Sequence, residues 1–327
     1  MKNSSFIQNE VFKINLEYVR LQNKTKELFF KCLDEGRDIE YFKAKLEELW
    51  GKIDHSYYED KLVEYEQLIH EYYDIKYNEP IVPKYNYMSL IPIGVVLTQE
   101  LRFKNDKSRE YSMSVNSYAY KNDKQDYLKK KVQKYTSQIV PYYNKTTGEL
   151  MRYVDLSTYE AMIFNTNLTR DGWNTTLNDA NYIGAELFYI PYHNFSCPEC
   201  LAMQNKILTR DDVQRLIGHV EEEIEGDILH PNCKCVLTIY QNGTKIQKTP
   251  YSDSELDEFY HTRQKINTLT LNKERILSDI KIQKSLGNQD EVDKLNQKRN
   301  AINSQIRELK GSLPTEELQK QVVAINR

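Results

Sequence analysis

No apolar run in this 327-residue chain is long enough to cross a bilayer. The longest, over residues 90–97, falls far short of the ~20 residues that a transmembrane helix needs. The N-terminus also lacks the apolar centre of a secretory leader, so the reading is a soluble protein made in a cytosol, with no membrane partner. An excess of charge of either sign is missing too. A net charge of -3 and a pI of about 6.2 provide no overall basic field for nucleic acid, so any DNA contact has to be local. Apolar residues are modest at 39% against 28% charged, and mean hydropathy is -0.72; elongated helical units are expected rather than one dense globule. No H-E-x-x-H occurs, which excludes the common metalloprotease arrangement.

Cysteine is scarce everywhere except between Pro191 and Tyr240, where the chain reads H-N-F-S-C-P-E-C from His193 and H-P-N-C-K-C from His230. Cys197 and Cys200 have the C-x-x-C spacing of a metal knuckle. Cys233 and Cys235, with His230, form a second ligand-bearing turn. On an extended strand Cys233 and Cys235 point to the same face, so both sulfurs can reach one ion. The expected metal ligands are Cys197, Cys200, His230, Cys233 and Cys235, competing for the four places of a structural Zn²⁺, with His193 an outlier. Disulfides and reduced buried thiols are the alternatives, and reducing conditions in a cytosol favour metal over disulfide. Cys32 lies in an apolar helical stripe and reads as a small core residue. A deaminase would need H-x-E followed by P-C-x-x-C; His219-Val220-Glu221 precedes a C-x-C instead, so the order is wrong.

Along the chain, residues 1–80 read as an N-terminal helical domain. A first helix over 10–35 carries Ile14, Leu21, Leu28 and Cys32 on one face, with Gly36 beyond its end. A second, capped by Asp38, presents Ile39, Phe42, Leu46, Leu49 and Trp50; a third places Leu62, Tyr65, Leu68, Ile69 and Tyr72 inward before Pro80 and Pro83. Residues 81–150 form a linker and mixed segment. There Lys129, Lys130 and Lys131 cluster among Tyr127 and Tyr135, either a solvated helix face over packed tyrosines or a local contact for nucleic acid.

Residues 151–248 form a small α+β domain. Two helices are expected, from Ser157 to about Thr166 and from Thr175 to Gly184, then a strand through Phe188 and Ile190 that delivers His193. Gln204-Asn205-Lys206 reads as a hairpin tip, Thr209 and Asp212 as a capping box for a helix ending near Gly218, and C-V-L-T-I-Y as a last strand closed by Asn242-Gly243. Residues 249–327 read as a C-terminal helical hairpin with Leu286-Gly287-Asn288 at its turn, projecting from the metal-bearing unit and packing internally or against another protein. The fold class expected is α+β: mainly helical, with a small antiparallel sheet carrying the Cys/His cluster.

The strand ending in H-N-F-S-C-P-E-C-L-A-M-Q-N-K-I-L, followed by L-H-P-N-C-K-C-V-L-T-I-Y, resembles the phage minor capsid protein 2 family and the related head-morphogenesis domain of the Mu protein F type. His193, Cys197, Cys200, Gln204, Lys206, His230, Pro231, Cys233 and Cys235 sit at motif positions over roughly 153–240. Asn205 stands where the hairpin usually has glycine, and Asn165-Thr166 where relatives often have Arg-Thr. The resemblance implies a non-enzymatic virion component made in the bacterial host cytoplasm, present in several copies. It would associate with the portal protein and inner capsid, with packaged DNA reached through Lys129, Lys130 and Lys131. An enzymatic alternative is a zinc-dependent hydrolase or toxin-like domain using Glu221 as general base; another is a zinc-stapled nucleic-acid binder.

Overall fold

The computed structural model describes residues 2–53, 56–73, 99, 101–107, 120–135, 139–143, 150–222, 233–241, 243–246 and 248–323. The expectations at Pro80, Pro83, residues 90–97, His230, Pro231 and Asn242 lie outside this set.

The first helix, α1 (Lys2–Asp34), starts well before the expected residue 10 because its apolar stripe does. Ile7, Val11, Ile14, Tyr18 and Leu21 recur at alternating steps of about four and three, the spacing that keeps one helical face inward. Thr25 continues the stripe: its hydroxyl donates to Leu21 O at 3.0 Å and accepts the Trp50 indole N–H at 3.0 Å. Thr25→Val keeps the shape but orphans a buried indole, and a loss of about 1–3 kcal/mol in urea unfolding is expected. Gly36, at φ 70, ends the helix in the left-handed conformation, with Arg37 N–H on Cys32 O at 2.9 Å.

Helix α2 (Ile39–Trp50) begins where Asp38 accepts from Tyr41 N–H at 2.8 Å, and it buries Phe42, Leu46 and Trp50. Helix α3 (Ser56–Tyr72) buries Leu62, Tyr65 and Ile69. Tyr72, expected inward, is 59% exposed; the next residue, Tyr73, takes the inward place and its hydroxyl accepts Ile239 N–H at 2.8 Å. A helix over 101–107 (α4) brings Phe103 against Phe42. In α5 (Tyr120–Lys134) Tyr127 packs against the core, and Tyr135, just past the helix end, lies beside Phe29 and Phe30.

Strands β1 (Ile139–Tyr143) and β2 (Leu150–Asp155) pair antiparallel and lead into α6 (Leu156–Ile183), a single helix where two were expected. Asn165, Thr169, Asp171 and Gly172 interrupt the amphipathic pattern, yet all are buried within one continuous helix. Gly172 is the close crossing with α3: a Cβ there would lie 2.2 Å from Tyr65 Cε1. Gly172→Ala must push the helices apart, and a loss of about 1–3 kcal/mol in thermal or urea unfolding is expected.

Beyond α6 come β3 (Leu187–Tyr189), α7 (Pro198–Leu201), β4 (Ile207–Thr209), α8 (Arg210–Glu222) and β5 (Thr238–Tyr240), with the strands in one antiparallel sheet of order β4-β3-β5. Thr209 and Asp212 form the expected reciprocal cap, Thr209 N–H reaching Asp212 Oδ2 at 2.9 Å, but α8 runs past Gly218. Asn205 adopts φ 60, the left-handed conformation that asparagine tolerates in place of glycine. The turn at Asn205 closes a long excursion between β3 and β4, not a tight hairpin, and that excursion carries the knuckle.

The C-terminal hairpin of α9 (Asp253–Ser285) and α10 (Gln289–Gly311) turns at Leu286, Gly287 and Asn288 as expected, and a short α11 (Glu316–Val323) follows. Rather than projecting, α9 packs along α1: Asn23 Nδ2 donates to Glu274 O at 3.0 Å, and Lys26 meets Asp279 at 2.5 Å. One apolar cluster draws on Ile7, Leu128, Leu156, Val236 and Ile282, so all four expected segments contribute to it. No helix among the described residues is long and apolar enough to cross a membrane.

Candidate metal centre

Two chain segments supply the sulfurs. The knuckle forms because Cys197 is the extended residue before α7 and Pro198 is pre-organised for its first turn, which folds Cys200 back so that its N–H meets Cys197 O at 3.1 Å. Ser196 fastens the approach, its hydroxyl donating to His193 O at 2.6 Å and accepting from Gln204 Nε2 at 2.5 Å.

The second segment, 233–237, leads into β5 and lies along α6, where the polar residues that broke the sequence pattern hold its carbonyls. Asn165 Nδ2 donates to Cys233 O at 2.7 Å and Thr169 Oγ1 to the same oxygen at 3.1 Å. The Trp173 indole N–H reaches Cys235 O at 2.9 Å, and the Thr176 hydroxyl lies 3.4 Å from Leu237 O. The two periods match: about four residues of helix rise ~6 Å and two residues of strand ~6.6 Å. With alternate carbonyls fixed to α6, the side chains of Cys233 and Cys235 fall on a common face, as the C-x-C spacing predicts.

Cys200, Cys233 and Cys235 are buried with their sulfurs all within 4.8 Å of one another, a group that could hold a metal ion. Cys200 and Cys233 approach to 3.5 Å, and Cys235 N–H points at Cys233 Sγ at 3.5 Å. None of the five cysteines is in a disulfide; a disulfide requires ~2.05 Å between sulfurs, whereas two ligands ~2.3 Å from a tetrahedral zinc lie ~3.8 Å apart. Hydrogen bonds with Cys197, then Cys233 and Cys235, together with burial, push the Cys200 thiol far above its ordinary range. Burial of this kind disfavours a bare thiolate, and a bound cation is what compensates such charge. Cys197 is itself buried and in hydrogen-bonding contact with Cys200. Among the described residues no carboxylate joins the cluster.

His193, the outlier by spacing, comes to the cluster: its Nε2 lies 3.8 Å from Cys235 Sγ, and burial pushes its pKa down to about 4. The signal was its place shortly after the strand, four residues before Cys197. Its tautomer follows from a chain of donors. Arg263 has only N–H groups and donates to Gln8 Oε1, so Gln8 offers its Nε2 to His193 Nδ1, 3.5 Å away. The imidazole proton therefore sits on Nε2 and points at Cys235 sulfur. His193 thus offers an N–H to the Cys235 sulfur. His230 lies outside the described residues, and so does the side chain of Glu221.

The surroundings carry positive charge. Arg263 is 5% exposed, stacks over Phe195 with its guanidinium 4.7 Å from the ring, and has no carboxylate partner among the described residues. Burial pushes it down to about 10; burial and Arg263 push Lys234 down to about 8. Both line a void of about 10 Å³ beside His193, Cys197, Cys200 and Cys235. The lysines proposed for DNA are differently engaged: Lys131 bonds Asp106 and Tyr127, Lys129 lies 3.8 Å from Asp126, and Lys130 is exposed.

No family model matches the chain, nor does any curated protein or solved structure.

Proposed function

We propose that the chain is a metal-stapled structural component of a bacteriophage head, a minor capsid protein of the head-morphogenesis type that sits with the portal and inner capsid. The observation that carries the metal assignment is the charge balance. Four thiolates around Zn²⁺ leave a net charge of 2−, which the cations beside the cluster, Arg263 and Lys234, offset, while among the described residues no carboxylate joins the cluster to add to it. Cys197, Cys200, Cys233 and Cys235 would be the ligands, with His193 donating to Cys235. Such a closed tetrathiolate site keeps no position for substrate, so its role is to fasten the knuckle to the segment clamped on α6.

The head assignment rests on the order of parts. The described motif residues, His193, Cys197, Cys200, Gln204, Lys206, Cys233 and Cys235, lie in one unit, in the chain order of the motif that resembles the minor capsid family, and α1 and α9 reach that unit through Gln8 and Arg263. Mass spectrometry of purified particles from an infected or induced culture tests it. The protein is expected in mature heads and in portal-containing assembly intermediates; its absence from both would contradict the assignment.

A further inference from the structure

A second place of uncompensated charge lies far along the chain, on the C-terminal hairpin. Asn300, Asn303, Arg307 and Lys310 follow each other at helical steps on one face of α10, and Lys273 of α9 faces them across a groove of about 510 Å³ floored by Ile306. No acid lines this groove. Elsewhere on the hairpin Arg275 pairs with Asp155 at 3.3 Å and Lys294 with Glu291 at 3.8 Å, whereas among the described residues Lys273, Arg307 and Lys310 form no ion pair. Burial and the facing Lys273 hold the Lys310 ammonium below its ordinary pKa, so the two cations repel in the absence of an anion.

We propose that this groove binds the phosphates of a nucleic-acid strand laid along α10. From Asn300 to Lys310 the stripe is about 15 Å long at ~1.5 Å per residue, room for consecutive phosphates rather than one. Arg307 offers a planar fork that matches phosphate oxygens, the two lysines supply point charges, and the Asn300 and Asn303 amides add neutral donors. Acid is excluded from the lining, as electrostatic complementarity to a polyanion requires. The inference is independent of the thiolate site, and its failure would leave that site untouched.

The test is fluorescence anisotropy of a labelled single-stranded oligodeoxynucleotide with the metal-loaded full chain at 50 and 200 mM salt. Three phosphate contacts give a slope of about −2 in log K against log salt, at ~0.7 per contact on single strands, hence a roughly 20-fold weakening between the two conditions. Lys273→Gln, Arg307→Gln and Lys310→Gln should each lower that slope by about 0.7. The triple variant, checked for fold by circular dichroism, should lose binding at 200 mM, and Lys45→Gln, on the exposed face of α2, should change nothing. Wild-type affinity in the triple variant would overturn the inference. So would no binding at 50 mM, or competition by inorganic phosphate or a polyglutamate peptide as effective as by unlabelled oligonucleotide.

Discussion

Cys233→Ser is expected to abolish metal retention and, with it, the folding of the 187–240 unit. Apparent free energies of structural zinc in small fingers are on the order of 10 kcal/mol, as large as the whole stability of an ordinary domain. The sheet here is thin: β3, β4 and β5 are three-residue strands, and the sulfurs occupy the middle of the apolar cluster beneath them. A serine oxygen is a poor replacement for a thiolate, and it leaves the other sulfurs crowded and uncompensated. Loss of one equivalent of zinc by elemental analysis should accompany loss of cooperative unfolding in that unit, with Cys200→Ser behaving the same way. Cys32→Ala, in the α1 core, should cost about 1 kcal/mol and keep the metal, because a small apolar residue replaces another.

Trp173→Ala should be the most damaging change outside the sulfurs. The indole is fully buried in the cluster that surrounds the cysteines, and its N–H holds Cys235 O at 2.9 Å. Truncating a buried tryptophan costs about 3–5 kcal/mol, and here the orphaned carbonyl belongs to the residue whose sulfur has to be aimed. Trp173→Phe separates the two contributions: it keeps most of the packing and deletes the donor, for about 1–3 kcal/mol. Urea unfolding measures the stability. The rate of zinc release to a chelator measures the aim of Cys235, and both variants should release faster than the parent; unchanged release in Trp173→Phe would mean that the hydrogen bond does not position the sulfur.

The helices of the N-terminal region and the C-terminal hairpin were legible because their apolar residues repeat and their ends carry Gly36, Asp38 and the Leu286-Gly287-Asn288 turn. The clustering of Cys200, Cys233 and Cys235 was legible for the same reason: C-x-x-C and C-x-C are local geometry. What the sequence hid was α6. Its Asn165, Thr169 and Thr176 look like breaks in an amphipathic helix, but they are buried against a segment whose carbonyls need donors, so polarity there marks a partner rather than solvent. Residue patterns carry no information about which backbone groups elsewhere require satisfaction. His193 was legible only as an outlying candidate, since its contact with Cys235 spans a long stretch of chain and its orientation is set by Gln8 and Arg263 from opposite ends of the sequence. The hairpin was misplaced for a related reason: a polar helix reads as projecting, whereas the α1–α9 contact includes ion pairs and amide bonds that no hydrophobic count registers.

X-ray absorption at the zinc edge, on protein purified without added metal, tests the central claim most directly. One equivalent of zinc bound by four sulfurs at ~2.3 Å is expected, with no nitrogen or oxygen in the first coordination sphere and an unchanged sulfur count in His193→Gln. A nitrogen or water oxygen bound to the zinc, or protein that folds to the same stability with its thiols metal-free, would contradict it.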